Sequence, residues 1–107
     1  MKESEIQKSV INYLQILQNQ GKLWFKRNNA GKRFIKSDTG KTYRIGFGEK
    51  GEPDIFCWYA GWLWGLEIKA GKGKQNENQL AWQKMAEKLD IRYVVVRSLD
   101  EVIKIIK

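Results

Sequence analysis

Two apolar, β-rich runs on either side of a two-residue turn constrain this chain more than any other feature. Asp54-Ile55-Phe56-Cys57-Trp58-Tyr59 precedes Ala60-Gly61, and WLWGLEIKA, Trp62 to Ala70, follows it. Runs joined by so short a connection fold as an antiparallel hairpin. The start of the first strand then lies beside the end of the second, which brings Asp54 next to Glu67. Glu67 and Lys69 are two positions apart, so alternation puts both on one face of the sheet, while Leu66 and Ile68 take the other.

The rest of the chain supplies strands and helices to cover that hairpin. Val10, Leu14 and Leu17 recur at a helical period, flanked by Ile6 and Tyr13, and predict an amphipathic helix over Lys2 to Gln20 with Gly21 as its stop. Leu23 to Arg27 (LWFKR) reads as a short strand. Within Asn28 to Gly51, strands near Arg33–Ile35 and Tyr43–Gly46 form a hairpin over Asp38-Thr39-Gly40. A polar loop, Lys72 to Asn78, leads to a helix over Asn76 to Leu89 with Trp82, Met85, Ala86 and Leu89 on its apolar face. Ile91 to Arg97 (IRYVVVR) has the continuous apolar run of a strand covered on both faces, and Ser98 caps a last helix through Ile106. Strands and helices alternate around one sheet, so the class is α/β, a single domain over 1–107.

Composition narrows the chemistry. Hydrophobic residues make up 42% of the 107, enough for a core rather than a disordered tail. Lys and Arg number 20 against 12 Asp and Glu, a net charge of +8 that favours polyanionic partners. Histidine is absent, which removes His general bases and His-ligated zinc. The one cysteine, Cys57, lies in an apolar run and builds neither a disulfide framework nor a metal cluster. With no apolar signal core and no run of ~20 apolar residues, a cytoplasmic protein without a membrane is expected.

Two carboxylates and a lysine at one end of an apolar hairpin call for a cation. Repulsion between the acids raises a pKa unless a positive charge offsets it. Mg²⁺ suits one or two carboxylates completed by water and phosphate. Lys69 then orients the attacking water or stabilises charge on the phosphate. An ordinary cross-strand charge pair is the alternative for Glu67 and Lys69. Pro53 stiffens the backbone before Asp54, and Gly51 allows close approach nearby.

Gly51-Glu52-Pro53-Asp54 followed by Glu67-Ile68-Lys69 resembles the motif of the PD-(D/E)xK nuclease superfamily. Glu3-Ser4-Glu5-Ile6-Gln7, Arg27-Asn28-Asn29-Ala30-Gly31 and Gln79 are similar to one branch of it, the virus-type replication-repair nuclease (VRR-NUC) domain. The resemblance spans nearly the whole chain. It implies a restriction-endonuclease-like core, a mixed β-sheet flanked by α-helices, and phosphodiester hydrolysis dependent on Mg²⁺ or Mn²⁺. It makes Asp54 and Glu67 metal ligands and Lys69 the catalytic lysine, completed by a glutamate of the first helix and a glutamine of the later one. Small members of this kind resemble homodimeric enzymes that resolve Holliday junctions, which implies branched DNA as partner and a phage or prophage source.

Helical phasing chooses between the two glutamates. Glu3, Gln7, Val10, Leu14 and Leu17 form one inward stripe, whereas Glu5 falls among solvent-facing positions. Glu3 is therefore the expected catalytic and metal-binding acid, with Gln7 one turn on as a hydrogen-bond partner; a favourable charge at a helix start explains Glu3 equally simply. Gln79 sits at the edge of its helix's apolar face, able to turn to the sheet or to solvent. Lys32, Arg33, Lys36, Lys41 and Arg44, interleaved with Phe34, Tyr43 and Phe47, together with Lys72 and Lys74, suit a nucleic-acid backbone. Trp58, Tyr59, Trp62 and Trp64 are either core or a dimer face. A non-catalytic DNA-binding module on a nuclease fold, a flap or linear-duplex nuclease, and a restriction enzyme are the competing functions.

Overall fold

The computed structural model describes residues 1–28 and 51–107, and between them the backbone of two further strands. The order is α1 (Glu3–Asn19), β1 (Leu23–Arg27), β2 (Lys32–Lys36), β3 (Thr42–Gly46), β4 (Ile55–Tyr59), β5 (Trp62–Ile68), α2 (Glu77–Lys88), β6 (Arg92–Val96) and α3 (Leu99–Ile105). One sheet has the strand order β1-β4-β5-β6, and β2 and β3 pair antiparallel in a second. β1–β4 and β4–β5 are antiparallel, whereas β6 joins β5 in parallel after the crossover through α2. The sheet is therefore mixed and flanked by helices, the expected α/β class.

Each element follows from local chemistry. α1 buries Ile6, Val10, Leu14 and Leu17, a stripe at helical spacing. Ile6 is only 2% exposed, so it belongs to the core rather than to the flank expected for it. The helix stops where Gly21 takes φ +75°. There Gly21 N–H donates to Gln18 O (2.9 Å) and Lys22 N–H to Leu17 O (3.0 Å), the two bonds of a Schellman cap. This cap turns the chain straight into β1. Val10 and Leu14 are fully buried, each contributing about 1.5–3 kcal/mol by area.

The β4–β5 turn sets the register of the whole site. Ala60 (φ 53°) and Gly61 (φ 83°) both take the left-handed conformation that a two-residue hairpin of this twist needs. Tyr59 then faces Trp62, and Ile55 faces Leu66. A slip of one residue would send Glu67 to the opposite face.

The sheet's two faces are covered unequally. Leu23, Ile55, Cys57, Leu66, Ile68 and Val96 are buried in the core cluster with the α1 stripe and Val102 and Ile106 at the carboxyl end. The other face is covered in part by α2, whose buried Trp82 packs against Phe56 and Tyr93 at 5.9 Å between ring centroids in both cases. Gly65 makes this packing possible, because a Cβ there would lie 2.8 Å from Pro53 Cγ and 3.7 Å from the Trp82 ring.

Two expectations need correcting, and one open alternative is narrowed. Met85 and Leu89 are 39% and 64% exposed, because only the Trp82–Ala86 stripe of α2 meets the sheet. Tyr93, Val94 and Val95 of β6 are half-buried rather than covered on both faces, since β6 is an edge strand. Trp58 and Trp62 are exposed, while Tyr59 and Trp64 are half-buried, so the four do not form one core group. The turn at Asp38-Thr39-Gly40 and the side chains of Lys32, Arg33, Lys36, Lys41 and Arg44 lie outside the described residues. No helix among the described residues is long and apolar enough to cross a membrane.

Candidate active site

The hairpin register puts Asp54, just before β4, level with Glu67 near the end of β5. Asp54 is anchored twice through the chain. Its carbonyl accepts from Asn28 N–H at 2.8 Å, and its Oδ2 accepts from Ile68 N–H at 2.8 Å. The second bond takes up a backbone donor that β4, already ended, no longer reaches. It also fixes the carboxylate at the seam between the strands.

Glu67 is the buried acid, only 3% exposed. Its Oε1 accepts from Gln79 Nε2 at 3.1 Å, whereas its Oε2 is buried with no hydrogen-bond partner. Burial pushes its carboxyl up to about 8; the neighbouring Asp54 charge and the hydrogen bond that a protonated Glu67 makes to Asp54 push the same way, Lys69 opposes them, and Glu3 adds a small increment. With both acids ionised, the two carboxylates repel each other and Oε2 has no donor to compensate it, and either one shared proton or a cation relieves the repulsion.

Gln79 is oriented by its helix cap. Asn76 Oδ1 accepts from Gln79 N–H at 2.9 Å, and Gln79 Oε1 accepts from Asn76 N–H at 2.9 Å, a reciprocal capping box. The amide oxygen is thereby committed to the helix start, which leaves the amide nitrogen to donate to Glu67. Gly51 closes the same corner from the other side. At φ +90°, it packs against the α2 backbone so tightly that a Cβ would overlap the Asn78 carbonyl and lie 2.9 Å from Gln79 N.

The remaining expected residues divide into two groups. Lys69 N–H donates to Val96 O at 3.0 Å, so the β5–β6 ladder continues through it while its side chain lies on the Glu67 face. Glu3 is exposed at the start of α1; it acts on the Glu67 charge, and Glu5 does not. No hydrogen bond joins Glu3 to Gln7 among the described residues. Nor, among those residues, do three acidic, cysteine or histidine side chains stand close enough together to hold an ion. Lys72 and Lys74 are exposed on the loop after β5. Arg97 holds that loop by donating from a guanidinium nitrogen to Gly71 O at 2.8 Å.

Two further residues stand at the site to which the sequence assigned no role, although Asn28 lies in the Arg27-Asn28-Asn29-Ala30-Gly31 segment singled out for its resemblance. Asn28 Nδ2 donates to Glu52 Oε2 and to Pro53 O, both at 3.1 Å, and so staples the segment leading into Asp54. Tyr93 lies opposite Gly65, on the Glu67 face, with its hydroxyl buried. Burial pushes that hydroxyl up to about 12, with Glu67 and Asp54 adding to the effect. Cys57, buried in the core, is likewise pushed up to about 12 by burial, which leaves an inert thiol.

No family model and no curated protein matches this sequence. Among solved structures, one described as a VRR_NUC domain superposes with a TM-score of 0.64 at 20% identity, over 98% of this chain and 94% of that one. The chain has the fold of a VRR_NUC domain. Within that VRR_NUC fold, Asp54 and Glu67 meet at the open end of the β4–β5 hairpin, where the β2–β3 segment leaves the sheet after Asn28 and returns at Gly51.

Proposed function

We propose that this chain is a metal-dependent, structure-selective DNA endonuclease that hydrolyses phosphodiester bonds. The observation that carries this reading is the pairing of buried Glu67, one oxygen without a partner, with Asp54 on the side of the sheet that also bears Lys69. The net charge of +8 supports a polyanionic substrate. The VRR_NUC fold supports a nuclease.

The residues present fit Mg²⁺ or Mn²⁺. A carboxylate oxygen without a hydrogen-bond partner, beside a second carboxylate, is the donor set these ions take, with water and phosphate completing the shell. Asp54 and Glu67 would hold the ion, and Glu3, from the edge of the site, would act through water. Bound there, the ion supplies Lewis acidity toward the phosphate and lowers the pKa of water. Gln79 holds Glu67 in place through Oε1, leaving Oε2 for the ion. Lys69 Nζ orients the attacking water or neutralises charge developing on the phosphate, a role no histidine is present to fill. Lys72 and Lys74, with the basic residues Lys32, Arg33, Lys36, Lys41 and Arg44, neutralise flanking phosphates.

Branched DNA, a four-way junction above all, is the preferred substrate in this reading. A homodimer acts on it, with two sites related by a twofold axis that match two strands of the junction. The test incubates labelled four-way junction, flap and linear duplex with Mg²⁺, Mn²⁺ or EDTA. Cutting of the branched substrates with either metal and none in EDTA is expected, with Lys69→Ala at least ~100-fold slower. Cutting in EDTA, or undiminished cutting by Lys69→Ala, refutes the mechanism, and cutting of linear duplex at one defined site refutes the structural selectivity.

A further inference from the structure

The face of the sheet that carries Glu67 continues past the site as an exposed aromatic strip. Register places Trp24 beside Trp58 and Trp58 beside Leu63, all on the Glu67 face. Lys26 stands beside Phe56 one row nearer the acids. Trp24 and Trp58 are 49% and 51% exposed, although tryptophan is a costly side chain to leave in water. α2 leaves them half-exposed, since its Trp82 packs over Phe56 and Tyr93, one row nearer the acids on the same face. From Glu67 to the Trp58 row is four residues along β5, about 13–14 Å at strand rise.

We propose that Trp24 and Trp58, with Lys26 between them and the acids, form a stacking platform for an unpaired stretch of the nucleic-acid substrate. The tryptophan faces stack on bases and Lys26 neutralises a phosphate, the combination that holds single strands without reading their sequence. The platform lies on the same face as the candidate active site, so a strand held there runs toward Asp54 and Glu67. A flap offers such unpaired bases and an intact duplex does not; at a four-way junction the pairs at the crossing point must open to supply them. A second copy of the chain fits this strip poorly. Two half-exposed tryptophans offer on the order of 200 Å², against the ~800 Å² per partner of a stable interface. Nor does the strip itself offer Lys26 an acidic partner across a twofold axis, because β1, β4 and β5 carry no acid on this face other than Glu67.

The proposal rests on the nucleic-acid reading above but not on cleavage, so its test is a binding measurement in EDTA. Anisotropy of a labelled single-stranded oligonucleotide and of a fully paired duplex is read for wild type, Trp58→Ala, Trp24→Ala and Trp58→Phe, with melting temperature and mass in solution recorded for each. Trp58→Ala and Trp24→Ala are expected to weaken single-strand binding roughly 5- to 100-fold while duplex binding stays within about twofold. Trp58→Phe, which keeps an aromatic face, is expected to lose less than about threefold. Equal loss on both DNAs, no loss on either, or a dimer that Trp58→Ala splits without changing single-strand affinity overturns the platform. A protein that cuts no DNA yet shows the expected contrast overturns only the nuclease reading. A nuclease whose Trp58→Ala binds single strands normally overturns only the platform.

Discussion

Replacing Glu67 by Gln isolates the most strained carboxylate ionisation among the described residues. The carboxyl titrates near 8 in the folded chain, against 4.5 when unperturbed. Between these values the folded state keeps a proton that the unfolded state has released. Without metal, the contribution of Glu67 to stability is therefore fully present below about pH 4.5, falls as pH climbs, and is lost above about pH 8. At ~1.4 kcal/mol per unit, and allowing for local relaxation around the pair, the loss amounts to about 2–4 kcal/mol. Glu67→Gln keeps an oxygen for Gln79 and turns an amide donor toward Asp54, so it removes the loss. With no histidine in the chain, no imidazole titrates in that window, and the effect of Cys57 at its alkaline end is common to wild type and variant. Urea unfolding in EDTA, from about pH 5 to about pH 9, should show wild-type and variant curves diverging by up to ~1.4 kcal/mol per pH unit, with the variant more stable at the alkaline end. Saturating Mn²⁺ should restore the wild type and leave the variant unmoved. Curves that run parallel at all pH values would refute the reasoning, because they would mean that Glu67 ionises freely in the folded state.

Two further substitutions probe the corner that holds Glu67. Gly51→Ala drives a methyl into the Asn78 carbonyl from a left-handed backbone, and should destabilise by about 2–5 kcal/mol in the same unfolding assay. Gln79→Leu removes both the Glu67 contact and half of the capping box; it should cost about 1–2 kcal/mol of stability and weaken Mn²⁺ binding in calorimetry roughly tenfold.

The β4–β5 hairpin was legible because its turn and its alternation are local, and local rules set its register. The Glu3–Asn19 helix was legible for the same reason, its stripe repeating over several turns. What escaped the sequence was mostly tertiary. Nothing local says that α2 lies across the sheet on Trp82 and Ala86 alone, leaving Met85 and Leu89 in water. Ile6 looked marginal to the stripe until packing placed it at the centre. The roles of Asn28 and Tyr93 could not be read, because the first acts on a segment more than twenty residues away and the second is brought to the acids only by the parallel pairing of β6 with β5. Gln79 was readable as a helix-edge residue, yet its orientation depends on Asn76, whose side chain commits one end of the amide. The division of the aromatic residues between core and surface was likewise decided by how far α2 reaches.

The central claim is that Asp54 and Glu67 share a divalent ion, and crystals of the protein soaked in Mn²⁺ near pH 8 test it most directly. A single anomalous peak in contact with both carboxylates, with Glu67 Oε2 rather than Oε1 among its ligands and the Gln79 bond intact, is the expected result. An occupied Mn²⁺ site elsewhere, with the two carboxyls still sharing a proton and no peak between them, would contradict it.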